Sequence, residues 1–332
     1  MKDTTMNCPL DPQLAAVVAA IRANNAPPPF SGAPEQARER MRRAIMAARE
    51  RSPLPIVGSV EDGLAEHDGT RVPVRLYRPV DAEPGRPTIV FFHGGGFVLG
   101  SAELMDDIAR KICRDIDAVV VSVDYRLAPE NPFPAAHDDA LAATLWAIRH
   151  VSILGGDSSR IAVAGESAGG NLAASTAMVL RDMGLGVSAQ LLIVPGIDMA
   201  RDTAVLDAKN RDFPMLSPAD LRDVARLYMG ENGAAAGAFP PSPMHADDFS
   251  GLPPAVIAIA GHDALYEEGL TYAERLEAAG VPVRLHRFED MFHQFFGFFE
   301  VSASARRAND EICHSFADCL RDHPFHPLPA SD

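Results

Sequence analysis

A chain of 332 residues with 47% hydrophobic and 23% charged residues has the composition of a large globular protein, which excludes wholesale disorder, a collagen-like repeat and a coiled coil. Its 45 acidic and 30 basic residues leave a formal net charge of −15. Such a surface repels phosphate backbones and anionic membranes, so neither nucleic acid nor a membrane is expected as a partner. In chain order, residues 14–21 have helical spacing, Pro27-Pro28-Pro29 interrupts them, and residues 35–51 resume as a helix of Ala and alternating charges. After Pro53 and Pro55 the period changes. Residues 57–66 and 71–77 read as strands, joined at Asp68-Gly69, a hairpin turn signal. From Pro87 onward, strand-sized apolar runs at 88–92, 118–123, 161–164, 190–194, 255–260 and 283–288 alternate with helical stretches. The helices fall near 102–115, 134–150, 168–183 and 267–279. Continuous apolar strands separated by helices predict an α/β fold with a mostly parallel sheet covered on both faces.

One gap breaks the rhythm. Asp198 to Leu252 is too long for a single crossover and holds a helix at Pro218–Met229 with Ser217 as its N-cap. The expected organisation is therefore an α/β domain from residues 56–198 and 252–332, with 199–251 inserted as one part of a helical cap. Residues 1–55 form the other part. Four cysteines, Cys8, Cys113, Cys313 and Cys319, contain no CxxC pair, which excludes a disulfide framework and a structural zinc site. A soluble, cytoplasmic protein is expected. The longest apolar runs are strand-sized, and Met1 to Leu10 lacks an apolar segment of signal-peptide length.

Chemistry is concentrated at strand ends. Gly165-Glu166-Ser167-Ala168-Gly169-Gly170 contains G-x-S-x-G between the strand at 161–164 and an Ala-rich helix, the strand–turn–helix setting of a nucleophile elbow. The bland alternative is a Gly-rich turn with an N-capping serine. The helix dipole and the Ala168 N–H would face an oxyanion developing at Ser167. His93-Gly94-Gly95-Gly96-Phe97 follows the strand at 88–92, and three consecutive glycines expose backbone N–H groups of the kind an oxyanion hole uses. A phosphate cradle is disfavoured, because no Lys follows and no GxGxxG fits. A serine nucleophile needs a base and an orienter downstream. Asp263 follows the strand at 255–260, and His293 follows the strand at 283–288, giving the order Ser…Asp…His. His262 is a rival base, but it abuts Asp263, and neighbours on a strand end point opposite ways. Asp138-Asp139 and Asp247-Asp248 lack ligand spacing and read as a helix-start pair and a loop pair, so no metal is expected.

With these residues in view, the sequence resembles the bacterial hormone-sensitive-lipase-like esterases (family IV carboxylesterases) of the α/β-hydrolase fold. The resemblance rests on His93-Gly94-Gly95-Gly96-Phe97, Asp124-Tyr125-Arg126-Leu127-Ala128-Pro129-Glu130, Phe133-Pro134-Ala135-Ala136 and the G-x-S-x-G segment. It continues through Ser250-Gly251-Leu252-Pro253-Pro254, residues 261–269 and His293, in that order. It spans nearly the whole chain, and the first two helices fit the family's cap. It implies Ser167 as nucleophile, His293 as general base and acid, and Asp263 as the orienter of His293. The implied oxyanion donors are the N–H of Ala168 and N–H groups among Gly94, Gly95 and Gly96, with Gly95 and Gly96 favoured. His93 would be structural.

The implied activity is hydrolysis of short- to medium-chain acyl esters of small molecules through an acyl-enzyme, without cofactor. A homodimer pairing through the strand at 283–288 is a further family expectation. An amidase or natural-product deacetylase would use the same triad. A non-catalytic small-molecule receptor on this fold keeps the elbow but loses the histidine, and His293 speaks against it. Three positions depart from the family pattern: Glu166 replaces the commoner Asp or Thr, Ala264 a usual proline, and Gln294 a usual glycine. The dense Phe292, Phe295, Phe296, Phe298 and Phe299 are expected to pack under the final helix rather than contact substrate.

Overall fold

The apolar runs assemble into one eight-stranded sheet in the computed structural model, which describes residues 8–81, 83–209 and 212–325. The strands are β1 (Ser59–His67), β2 (Thr70–Arg78), β3 (Arg86–Phe92), β4 (Val119–Val123), β5 (Gly156–Glu166), β6 (Ala189–Ile193), β7 (Ala255–His262) and β8 (Val283–Phe292). Their spatial order is β1-β2-β4-β3-β5-β6-β7-β8. β1 and β2 form an antiparallel hairpin, β2 pairs antiparallel with β4, and every later pairing is parallel. The hairpin turns at Asp68 and Gly69, with φ of 46° and 83°. Two positive φ values match the type I′ turn whose twist suits flanking strands.

The helices are α1 (Pro12–Ala23), α2 (Pro34–Arg49), α3 (Asp106–Ile116), α4 (Ala135–Leu154), α5 (Ala168–Asp182), α6 (Thr203–Ala208), α7 (Pro218–Met229), α8 (Tyr266–Ala278) and α9 (Ala303–Asp322). Alternate residues of each inner strand enter opposite cores. Val90, Val121 and Val163 pack with α4, α5 and α8 on one face, while Ile89, Val120 and Ala162 pack with α3 and α9 on the other. Both faces are therefore buried, which is why these strands are continuously apolar. Among the described residues no helix is long and apolar enough to cross a membrane.

Several elements differ from expectation, among them β5, which begins at Gly156 rather than Ile161. The stretch 102–115 becomes helical only at Asp106, because Ser101 Oγ and Asp124 Oδ1 accept the N–H of Leu104 and Ala102 and hold a turn there. Between Asp198 and Leu252 a second short helix, α6, is capped by Asp202. β8 runs on to Phe292, crossing a register shift so that Phe292 lies opposite His262. This extension delivers the chain directly into His293.

The N-terminal segment is fastened by side chains reaching backbone. Asp11 caps α1 through the N–H of Gln13 and Leu14 and accepts from Ser302 Oγ, while Leu14 and Val18 enter the core that contains α9. Arg38 of α2 donates to the carbonyls of Val98 and Ala128 and pairs with Glu130 at 2.6 Å. α7 begins with the expected Ser217 cap, completed as a capping box by Asp220.

Candidate active site

Three strand ends converge on Ser167. β5 stops at Glu166, and α5 starts at Ala168, leaving Ser167 alone in the turn with φ 56° and ψ −115°. That conformation is costly for a residue with a Cβ and lifts the side chain off the sheet edge. The turn is tight enough that a Cβ on Gly165 would collide with the carbonyl oxygen of Gly169, and one on Gly169 with that of Phe92. The glycines of G-x-S-x-G are thus demanded by close packing.

Ser167 Oγ donates to His293 Nε2 at 2.9 Å, and His293 Nδ1–H donates to Asp263 Oδ2 at 2.8 Å. Both His293 and Asp263 are 2% exposed. The other carboxylate oxygen, Oδ1, accepts the N–H of Leu265 at 3.0 Å, which fixes the acid's rotamer. His262 points elsewhere and meets the Cys8 carbonyl. The glycine loop lies against the elbow: a Cβ on Gly94 would sit 3.7 Å from that of Ser167. Among the described residues no acceptor takes the N–H of Gly95, Gly96 or Ala168. His93 is buried, stacked at 4.2 Å on Tyr125, with Nδ1–H donating to Gly94 O and Tyr125 Oη–H donating to His93 O. Those contacts hold the loop and involve neither Ser167 nor His293.

The family described as alpha/beta hydrolase fold matches residues 89–297, which contain all of these groups. The chain belongs to this α/β-hydrolase family. It is 42% identical over 258 residues to esterase LipI of Mycobacterium tuberculosis, covering 77% of this chain and 80% of that one. It is also 31% identical over 328 residues to ethyl acetate hydrolase of Pseudomonas putida, covering 95% and 99%. In structure it superposes on a hyperthermophilic esterase of the archaeon Pyrobaculum calidifontis with a TM-score of 0.87 at 35% identity, over 94% of this chain and 99% of that one. The resemblance to hormone-sensitive-lipase-like esterases is borne out.

Electrostatics in this hydrolase favour a poised histidine. Burial pulls the pKa of His293 down, but the charge and hydrogen bond of Asp263, aided by Glu166, outweigh it and hold it above the ordinary value. Glu166 is fully enclosed beside Ser167. Burial pushes its carboxyl up to about 7, against the pull of His293 and with the help of Asp107 and Asp263. Its Oε1 has no partner among the described residues.

Two arrangements in the hydrolase escaped sequence reasoning. Asp139 is no simple helix-start charge: buried, it accepts the guanidinium and the backbone N–H of Arg126, tying α4 to the Asp124–Glu130 segment. His137 bridges the elbow helix to α7. Its Nε2–H donates to Asn171 Oδ1 at 3.1 Å, and its Nδ1 accepts from Tyr228 Oη at 2.6 Å. Burial drives its pKa down to about 4, so it stays neutral in this role. Phe97 of the glycine loop stacks on the same Tyr228 at 3.9 Å. Asp124–Glu130, Phe133-Pro134-Ala135-Ala136 and Gly96-Phe97 carry the family resemblance in the sequence without revealing these contacts. Of the dense phenylalanines, Phe292, Phe295 and Phe296 are buried with Ile312 and Phe316 of α9 and Phe298 packs against them, as expected, whereas Phe299 lies under Lys111 outside that cluster.

Proposed function

We propose that this hydrolase is a serine carboxylesterase that cleaves small, uncharged, short- to medium-chain esters through an acyl-enzyme. The observation that carries this reading is the hydrogen-bonded run from Asp263 through His293 to Ser167. Ser167 Oγ attacks the ester carbonyl as His293 Nε2 takes its proton. Asp263 holds the Nδ1–H tautomer and balances the imidazolium that forms. The N–H groups of Gly95, Gly96 and Ala168 receive the oxyanion, a contribution of about 10²–10³ in rate per donor. His293 then protonates the leaving alcohol, and water repeats the sequence on the acyl-enzyme. The working compartment is the cytoplasm, in keeping with four unpaired cysteines. A second copy would add at the open edge of β8.

The two pieces of the cap meet over the glycine loop. A Cβ on Gly96 would lie 2.5 Å from Val224 Cγ2 of α7 and 2.9 Å from Phe30 Cζ of the N-terminal segment. So close a roof favours short acyl chains. With p-nitrophenyl acetate, butyrate, octanoate and dodecanoate, kcat/KM should peak at acetate or butyrate; faster cleavage of octanoate or dodecanoate would refute the cap's role. An amidase predominance would show as faster turnover of the matched anilide.

The pH dependence follows from His293. Its neutral form is the base, and its pKa lies above the ordinary ~6.5. As pH falls through that raised value the base is lost, so kcat/KM should rise along a limb centred above about pH 6.5 and level off beyond it. The same shift stabilises the fold below about pH 6.5, an effect that fades as pH rises through the folded-state value. A flat kcat/KM from pH 5 to 8 would exclude His293 as the base.

A further inference from the structure

The loop leaving β6 carries an arginine whose bonding is incomplete. The Arg201 side chain is only 9% exposed. Its Nε donates to Glu268 Oε2 at 2.9 Å and its Nη2 to Glu268 Oε1 at 3.2 Å, so one edge of the guanidinium is filled by a single carboxylate. Glu268, in the first turn of α8, also accepts the N–H of Ile197 and of Asp198, which fixes loop and arginine together. Nη1, on the opposite edge, is buried and has no hydrogen-bond partner among the described residues. Neighbouring polar groups are engaged elsewhere: Asp198 Oδ1 faces His245 Nε2 at 3.1 Å and accepts from Ser242 Oγ and the Ala200 N–H. A desolvated cationic donor with unfilled N–H groups is a poor structural element and a good ligand contact.

Its position relative to Ser167 gives the donor a use. Gly196 donates its N–H to the Ser167 carbonyl at 3.1 Å, so the β6 loop is stapled to the nucleophile's own backbone. The atoms nearest a Cβ on Gly196, beyond its chain neighbours, would be Leu265 Cδ1 at 3.6 Å, Arg201 Nη2 at 3.7 Å and Ser167 O at 4.0 Å. The missing side chain leaves a methyl-sized space between the Ser167 backbone and the Nη2 end of the guanidinium, with Leu265 as its apolar wall and Nη1 as the next nitrogen of the same planar group. The guanidinium also feels the charges of Asp198 and Asp263 after that of Glu268. With three carboxylates around one cation, a further carboxylate from a ligand would enter a net negative field. A ketone, ether or hydroxyl oxygen satisfies Nη1 without that repulsion.

We propose that Arg201 Nη1 is a specificity-determining donor that selects esters carrying a second, neutral oxygen acceptor a few bonds from the scissile carbonyl, such as alkoxy- and keto-acyl esters, over plain alkyl esters. The proposal rests on Ser167 being the nucleophile. The test uses isosteric p-nitrophenyl esters: methoxyacetate against butyrate, levulinate against 4-methylpentanoate, and the hemisuccinate as the anionic analogue. The readout is the ratio of kcat/KM within each pair, compared between wild type and Arg201→Gln. Intrinsic differences in ester reactivity and any general loss of activity cancel in that comparison.

In at least one pair the ratio should fall about 10- to 100-fold in Arg201→Gln, the range expected for one hydrogen bond to a charged donor. The hemisuccinate should be a poorer substrate than levulinate for the wild type. Ratios that do not move in the variant overturn the proposal and leave Nη1 with no part in selection. A hemisuccinate preferred over levulinate overturns the choice of a neutral acceptor. If Arg201→Gln fails to fold because Glu268 is left unpaired, the double variant Arg201→Gln/Glu268→Gln removes both charges, and the same ratios decide. Butyrate turnover with unmoved ratios defeats this proposal alone. A folded wild type that leaves butyrate intact defeats the Ser167 reading with it.

Discussion

Replacing Ser167 by Ala should lower kcat on p-nitrophenyl butyrate by about 10⁵- to 10⁶-fold, the scale on which a serine hydrolase loses its nucleophile. The loss is expected to be large yet incomplete. His293 would still stand over the site and the N–H groups of Gly95, Gly96 and Ala168 would still face the carbonyl, so water attack retains a residual rate of about 10³–10⁴ over solution. The fold should survive, because among the described residues Ser167 Oγ makes its only side-chain hydrogen bond to His293 and Ala adopts the same backbone at no greater cost. Circular dichroism and an unchanged melting temperature would establish that. A loss smaller than 100-fold in a folded variant would assign the nucleophile to another residue.

Asp263→Asn should cost about 10⁴-fold in kcat, less than loss of the nucleophile but more than a surface hydrogen bond could explain. Asp263 Oδ2 accepts from His293 Nδ1–H at 2.8 Å, and this contact keeps Nε2 free to accept from Ser167. An asparagine that turns its amide N–H₂ toward Nδ1 reverses the tautomer. Nε2 then carries the proton and no longer serves as a base. The charge of Asp263 is also one of the influences that hold the His293 pKa up against burial. Its removal should therefore move the acidic limb of kcat/KM to lower pH, a shift that a general loss of structure would not produce. A loss under tenfold, or a limb that stays in place, would point to a different acid.

Much of this hydrolase was legible in the sequence because its determinants are local. The strands at 88–92 and 161–164 are continuous apolar runs, and continuous runs arise where both faces of a sheet are buried. Ser217 with Pro218 marks the start of α7 by cap chemistry alone. Gly165 and Gly169 stand where any Cβ would strike backbone, and the chain order of Ser167, Asp263 and His293 follows from their places at successive strand ends. What was not legible depends on partners distant in sequence. Asp139 could be read only as a helix-start carboxylate until Arg126 was seen folded back on it. His137 had no visible role without Tyr228, 91 residues away. Arg201 and Glu268 are unremarkable charges in a line of text, since pairing between the loop after β6 and the first turn of α8 is decided by tertiary packing. The extension of β8 to Phe292 was missed for a related reason: it depends on a register shift against β7 rather than on apolar periodicity.

The most direct test of the account is covalent. Incubation with a p-nitrophenyl alkylphosphonate, followed by intact-mass and peptide mass spectrometry, should give one phosphonyl adduct per chain, located on Ser167, with activity lost in proportion to labelling. Asp263→Asn should label far more slowly, and Ser167→Ala not at all. An adduct on any other residue, or full inactivation without an adduct on Ser167, would contradict the assignment of Ser167 as the nucleophile.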